Sequence, residues 1–281
     1  MAKLVPDNPS AVMVIRQVTP NISTLSVPFA RFGRFAIGGR ATLVRLQSGS
    51  LAVFSPVALT PEVKSHVTSL NSPVSYIVAP DIEHHIFLTA WHSAYPSAKI
   101  IGVEGLPEKR AKSSNPEDAK VPFSVVFTKG DHGRTKIDEE FDAEFEYEYV
   151  PGHANKELVF LAKRESTLVE ADMMFNLPAT EQYSRVEGGV PGGIWNKIFN
   201  TVQGLSPGRM KWQQRFLWYG ASSGDRSGFN KSVARIAGWE FDKIVPCHGD
   251  VVEEGGSDVW RRLFAWHINA AAGAEGGKKK D

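Results

Sequence analysis

The sequence predicts a layered α/β protein with a mixed sheet core. Apolar runs of strand length alternate with segments whose apolar residues recur at helical spacing, the pattern of sheets covered by helices. Adjacent hairpins interrupt that alternation and set antiparallel strands beside parallel ones. A chain of 281 residues, 42% of them hydrophobic, is long enough for two sheets sandwiched between helices.

Taken in order, residues 42–46 and 51–54 flank the turn Gln47-Ser48-Gly49-Ser50 and read as a hairpin. Thr60-Pro61-Glu62 offers an N-cap followed by proline at the first helical position, and Val63, Val67 and Leu70 then line one face. Residues 74–79 form a short buried strand, 83–95 a helix and 99–103 another strand. From 141 to 149 the residues Phe141, Ala143, Phe145, Tyr147 and Tyr149 alternate with acids, which predicts a strand with one wet face. Residues 158–162 and 167–169 make a second hairpin. Asp225 caps a helix carrying Phe229, Val233, Ile236 and Ala237 on one side, residues 241–245 return as a strand, and a last helix begins near Ser257. One domain over 1–270 is expected, with a disordered tail over 271–281. The low-complexity end starts at Ala270, and Lys278, Lys279 and Lys280 read as a solvated end.

Charge and composition narrow the partners. Thirty-two basic against thirty-one acidic side chains leave a net charge of +1, too small a field to favour nucleic acid or a membrane surface. No segment approaches the roughly 20 apolar residues needed to cross a bilayer, and the opening MAKLVPDNPS lacks a secretory apolar stretch, so a cytoplasmic location is expected. A single cysteine, Cys247, excludes an internal disulfide and a Cys-rich zinc module, which leaves metal binding to His and carboxylate.

Four of the eight histidines follow predicted strands. His84 and His85 come after 74–79, His153 follows 141–149 through Pro151-Gly152, and His248 follows 241–245 through Pro246-Cys247. Asp172 likewise ends 167–169. Strand ends are where open α/β sheets collect ligands, so these positions suggest one rim. Imidazole and carboxylate together suit Zn or a non-haem Fe or Mn. His92 and His267 lie in helical patterns and read as structural.

In order and spacing, residues 15–252 resemble the metallo-β-lactamase fold superfamily. The matching segments are APDIEHH (79–85), PGHANKELVF (151–160), LVEADMMF (168–175) and IVPCHGD (244–250). The resemblance implies an αββα sandwich with two mixed β-sheets. It also implies a metal site at the strand ends, normally opened by a His-x-His-x-Asp-His box. Here the box is degenerate: Pro80 and Ile82 stand at the first two histidine positions, His84 at the Asp position and His85 at the last histidine. The likeness therefore implies one divalent metal on His84, His85, Asp172 and His248, with His153 near or joining it. Zn is the first expectation, and Fe or Mn the alternative. The carboxylate usually found after the second amino-terminal strand is replaced by Phe54-Ser55-Pro56-Val57.

Asp81 reads as a general base, as a group orienting an imidazole, or as a helix cap. Cys247 reads mainly as packing, and otherwise as a redox-sensitive thiol or an extra ligand. Phe29, Phe32 and Phe35 with Arg31, Arg34 and Arg40 sit where this fold carries a flap over the metal. Trp195, Phe199, Trp212, Phe216, Trp218 and Tyr219 lie in an insertion between Asp172 and Phe241. These aromatics suit the wall of a small-molecule pocket, with core packing or a homodimer interface as the alternative. The expected function is metal-dependent hydrolysis of an ester, lactone or thioester by a metal-activated water. The alternatives are an Fe or Mn lyase, isomerase or oxygenase, and a non-catalytic ligand-binding protein.

Overall fold

The computed structural model describes residues 4–131 and 133–277. The strands are β1 (Val14–Thr19), β2 (Ile22–Val27), β3 (Ala30–Arg31), β4 (Phe35–Ala36), β5 (Gly39–Arg45), β6 (Leu51–Phe54), β7 (Val74–Val78), β8 (Lys99–Val103), β9 (Val125–Phe127), β10 (Phe145–Val150), β11 (Glu157–Ala162), β12 (Thr167–Glu170) and β13 (Lys243–Pro246). The α-helices are α1 (Pro9–Val12), α2 (Pro61–Ser69), α3 (Leu88–Ala94), α4 (Leu106–Ala111), α5 (Glu139–Glu144), α6 (Ile194–Val202), α7 (Pro207–Phe216), α8 (Arg226–Ile236), α9 (Gly256–Leu263) and α10 (Ala265–Gly277).

Seven strands form one sheet in the order β1-β2-β5-β6-β7-β8-β9, four form a second in the order β10-β11-β12-β13, and β3-β4 is a separate hairpin. Both large sheets are mixed. β6 to β9 run parallel in the first and β12 with β13 in the second, while the remaining pairs are antiparallel. The sheets meet through aromatic rings: Phe54 of β6 packs on Phe160 of β11 with centroids 4.9 Å apart, and Phe141 and Phe145 stack at 4.4 Å beside them. The first sheet's outer face is covered by α2, which buries Val63 and Val67, and by α3, which buries Leu88 and Trp91. On the second sheet's outer side α8 buries Phe229, Val233 and Ile236, with Trp260 and Leu263 of α9 beside it. Helix, sheet, sheet, helix is the αββα sandwich expected.

Two of the predicted caps are present. The Thr60 hydroxyl accepts from Val63 N–H, and the Asp225 carboxylate accepts from Gly228 N–H. Three segments differ from expectation. The strand predicted over 141–149 starts only at Phe145, because Asp138 caps α5 through Phe141 N–H at 2.8 Å, and Glu139, Glu140 and Asp142 in its first turn favour the helix. The helix predicted over 83–95 is confined to α3, because Asp81 takes the N–H groups of Glu83 and His84 and holds the preceding residues in a turn. Of the tail expected to be disordered over 271–281, the described residues 271–277 are helical, where α10 runs on through an alanine run that favours helix. Lys278, Lys279 and Lys280 lie outside the described residues.

Candidate metal centre

The loops after β7, β10, β12 and β13 carry the polar residues singled out in the sequence. After β7, Asp81 is fully buried, and its Oδ1 accepts from the backbone N–H of Glu83 (2.7 Å) and His84 (2.8 Å). Both carboxylate oxygens also face His84 Nδ1, at 2.8 and 2.9 Å. Of the roles open to Asp81, this is the geometry of the orienting one: it fixes the turn and the imidazole together.

After β13, His248 Nδ1 lies 2.6 Å from the Gly38 carbonyl. A carbonyl can only accept, so Nδ1 donates and Nε2 presents its lone pair. His84, donating from Nδ1 to a carboxylate, presents its Nε2 in the same way, and the two Nε2 atoms are 3.2 Å apart. Asp172 closes the group. Asn155 donates to its Oδ2, while its Oδ1 is buried without a hydrogen bond, 3.2 Å from His248 Nε2. Glu157, opening β11, accepts from Ala171 and Asp172 N–H and so holds the backbone that carries Asp172.

Facing lone pairs and an orphaned carboxylate oxygen require positive charge between them. Two imidazoles on a tetrahedral zinc at about 2.0–2.1 Å have nitrogens about 3.3 Å apart, so the observed separation fits one ion. In the metal-free protein a proton on His84 supplies that charge. Burial works against the charged form of His84, but Asp81, Cys247 and Asp172 outweigh it and hold the imidazole well above the ordinary histidine range. Burial pushes the Asp172 carboxyl up, and His84, His248 and His153 more than reverse this, leaving it below the usual carboxylate range.

Of the five sequence-predicted ligands, His84 and His248 meet at 3.2 Å between Nε2 atoms and His248 Nε2 lies 3.2 Å from Asp172 Oδ1, while Asp81, His84 and Asp172 form a group with ligand atoms within 4.8 Å of one another. Cys247 forms a like group with His84 and His248. Its buried Sγ donates to the Arg40 carbonyl at 3.3 Å; burial raises its pKa, but the two imidazoles bring it down to about 7. His85 turns away: its Nδ1 is 3.2 Å from Arg110 Nη1, and burial, with Lys109 and Arg110, lowers its pKa to about 4. His153 lines a cavity with Asp172, yet its Nδ1 accepts from Asn155 N–H and its ring stacks on Phe229. Among the described residues, neither His85 nor His153 joins a ligand group.

Other roles also settle. Arg40 is no flap residue. It is buried and donates to the Pro246 and Gly249 carbonyls on either side of Cys247-His248, with Glu181 as its counter-ion. Asn155, Glu157 and Arg40 as supports of the centre escaped the sequence reading. The available signal was an isolated polar residue opening an otherwise apolar strand, as in Glu157-Leu158-Val159-Phe160.

Two apolar cavities flank the centre. One, of about 290 Å³, is lined by Phe29, Phe32, Val57, Phe87, His84 and His248. The other, of about 330 Å³, is lined by Phe32, Phe35, Phe175, Phe199, His153 and Asp172. Arg31 and Phe32 of the β3–β4 hairpin border both. Arg31 pairs with Glu83 at 3.6 Å, and Arg34 stacks on Trp195.

Strand order, layering and the placement of the polar loops define the metallo-β-lactamase fold, and solved structures agree. The chain superposes on the metal-soaked Flv1 flavodiiron core of Synechocystis sp. PCC6803 with a TM-score of 0.59 at 15% identity, covering 91% of this chain and 60% of that one. For a flavoprotein of Thermotoga maritima the TM-score is 0.59 at 12% identity, covering 91% and 61%. For a metallo-β-lactamase of Pontibacter korlensis it is 0.55 at 11%, covering 90% and 99%. The chain thus spans about 60% of the flavodiiron and flavoprotein chains and nearly all of the lactamase. No curated protein matches in sequence. Residues 33–183 match the family described as Domain of unknown function (DUF4336), and the chain belongs to that family.

Proposed function

We propose that the protein is a metal-dependent hydrolase of a small ester, lactone or thioester, using one ion held by His84, His248 and Asp172. The observation that carries this reading is the 3.2 Å approach of two imidazole Nε2 atoms whose Nδ1 atoms are already committed to Asp81 and Gly38. Zinc suits a donor set of two imidazoles and a carboxylate, and Fe or Mn would fit the same atoms. Once bound, such an ion polarises a carbonyl and lowers the pKa of its water toward neutrality.

The chain's own residues do the rest. Asp81 and the Gly38 carbonyl hold the two imidazoles in the tautomer that leaves Nε2 free, and Asn155 and Glu157 aim Asp172. Phenylalanines lining both cavities exclude water and receive the apolar flank of a substrate. Arg31, at the border of both, is placed to meet a carboxylate on it.

Elemental analysis of protein purified without a metal-affinity column is expected to find about one equivalent of metal. His84→Ala and His248→Ala should each lower metal affinity by about 100-fold or more, since loss of a supporting partner alone costs 10–100-fold. Turnover of a small thioester or aryl ester should be lost to a chelator and restored by metal. Metal retained in both variants would remove this assignment of the ligands. Stoichiometric metal without turnover would leave the ligands and remove the hydrolase.

A further inference from the structure

The net charge of +1 conceals strong segregation. Residues 138–148 carry seven acids and no Lys or Arg, whereas residues 188–224 contain no Asp or Glu and four basic residues, Lys197, Arg209, Lys211 and Arg215. The acid-free segment includes α6 and α7 and supplies most of the molecule's large exposed apolar side chains. Trp195 is 52% exposed, Trp212 50% and Tyr219 70%, with Ile194, Ile198 and Phe216 also exposed.

Helix α6 is inverted relative to a helix built for a soluble surface. The residue it buries is Asn196, which accepts from Ala36 N–H and donates to the Gly192 carbonyl, while Ile194, Trp195 and Ile198 face outward. In α7, Trp212 and Phe216 lie one turn apart on one side. Phe199 and Phe216 line the 330 Å³ cavity beside Asp172, as does Phe32, which is 76% exposed at the tip of the β3–β4 hairpin. Two exposed aromatics, Phe32 of the hairpin and Phe216 of α7, thus border the cavity, and every charge within residues 188–224 is positive.

We propose that this face docks on the surface of an anionic lipid bilayer. Exposed tryptophan and tyrosine with aliphatic neighbours suit the headgroup boundary, and Lys and Arg without an intervening acid complement anionic lipid. The segment lies in the interface and does not cross it, since no helix among the described residues is long and apolar enough to span. The cavity mouth then faces the lipid. A second copy of the chain, the competing occupant, would have to accept a like-charged face against its own.

Vesicle sedimentation of the full chain tests this directly. Partitioning should be strong to phosphatidylcholine vesicles containing 30% phosphatidylserine, weak to phosphatidylcholine alone, and reduced by salt, with a blue shift of tryptophan emission. The double variants Trp195→Ala/Trp212→Ala and Lys211→Glu/Arg215→Glu should each weaken partitioning by about tenfold or more, each basic residue near the surface contributing about fivefold. Their thermal unfolding should match the parent's. Substituting Lys278, Lys279 and Lys280 by serine should leave partitioning intact, as should His84→Ala/His248→Ala, so that failure of the hydrolase reading does not touch this one. The proposal is overturned by unchanged partitioning in the tryptophan variant, by loss of binding on removal of the tail lysines, or by a dimer in sedimentation velocity that Trp195→Ala dissociates.

Discussion

The centre around Asp172 and the exposed aromatic face of α6 and α7 both border one cavity, through Asp172 on one side and Phe199 and Phe216 on the other, yet they are built oppositely. At the centre, carboxylates and imidazoles are buried or nearly so and each is held by a partner, His84 by the neighbouring Asp81 and the others from further along the chain: His248 by Gly38, Asp172 by Asn155, the 246–249 loop by Arg40. On the aromatic face, apolar side chains are exposed and their nearest charged partners are stacked arginines, Arg34 on Trp195 and Arg215 on Trp212. Buried polar groups are costly unless fully satisfied, so the centre has little room for variation. Exposed apolar groups owe little to the fold, and what retains them is what they touch outside it.

The largest effect expected from this contrast belongs to Gly249, the residue after His248. Its φ is +89°, and a Cβ there would lie 2.2 Å from the Asn176 carbonyl oxygen and 2.4 Å from the carbonyl carbon. The strand-end loops 175–178 and 248–250 are joined at this point, with Asn176 N–H donating to the His248 carbonyl and Asp250 N–H to that of Asn176. Neither backbone can yield without moving His248. Gly249→Ala should therefore cost about 4 kcal/mol or more, at the severe end for a single substitution. Urea unfolding of metal-free protein measures it, and a cost under about 1 kcal/mol would show the centre to be far softer than its packing implies.

That glycine also shows what was legible in the sequence. Pro151-Gly152-His153 and His248-Gly249 can be read as strand-end turns because a backbone approach that admits no side chain leaves a glycine beside the histidine. Gly152 is likewise pressed against the Asp225 carbonyl, 2.5 Å from its ideal Cβ. The αββα layering was legible because it depends on apolar periodicity, as was Asp172, because a hairpin strand of known length ends there. The choice between His84 and His85 was not. Adjacent residues on a turn point to different sides, and only the grip of Asp81 on one ring and Arg110 on the other separates them. Nor was the role of His153, whose strand-end position is shared by ligands and by turn residues alike. The strand expected from Phe141 failed for a related reason: a period of two over nine residues is also compatible with one capped helical turn followed by a shorter strand.

His267 of α10 packs against Trp218 of the insertion. It is buried, its Nδ1 is 2.7 Å from Asn230 Oδ1, and its ring packs 4.8 Å from Trp218 and 4.7 Å from Phe229. Burial, aided by Arg226, lowers its pKa from 6.5 to about 4. The unfolded chain thus takes up a proton that the folded chain refuses, and stability falls as pH drops from 6.5 toward 4, levelling off below that. The loss should be on the order of 2–3 kcal/mol. Comparing chemical denaturation of the parent and His267→Gln across this window isolates it; equal slopes would show that His267 protonates freely in the fold and that the insertion is loosely seated.

The smallest effect, and the one with opposite sign, is expected at Phe32. This phenylalanine occupies the left-handed region, φ 54°, at the tip of the β3–β4 hairpin. An L-residue with a bulky side chain pays roughly 1–2 kcal/mol for that conformation, which asparagine tolerates better. Because the ring is mostly exposed, its contacts return little of that cost. Phe32→Asn should therefore raise stability by about 0.5–1 kcal/mol, read in the same urea titration, while weakening vesicle partitioning. A gain in stability coupled to a loss of binding is what a residue kept for an external contact would show. If Phe32→Asn instead destabilised the chain by more than about 1 kcal/mol, the ring would be doing its packing within the fold, and the aromatic face would obey the same rules as the centre.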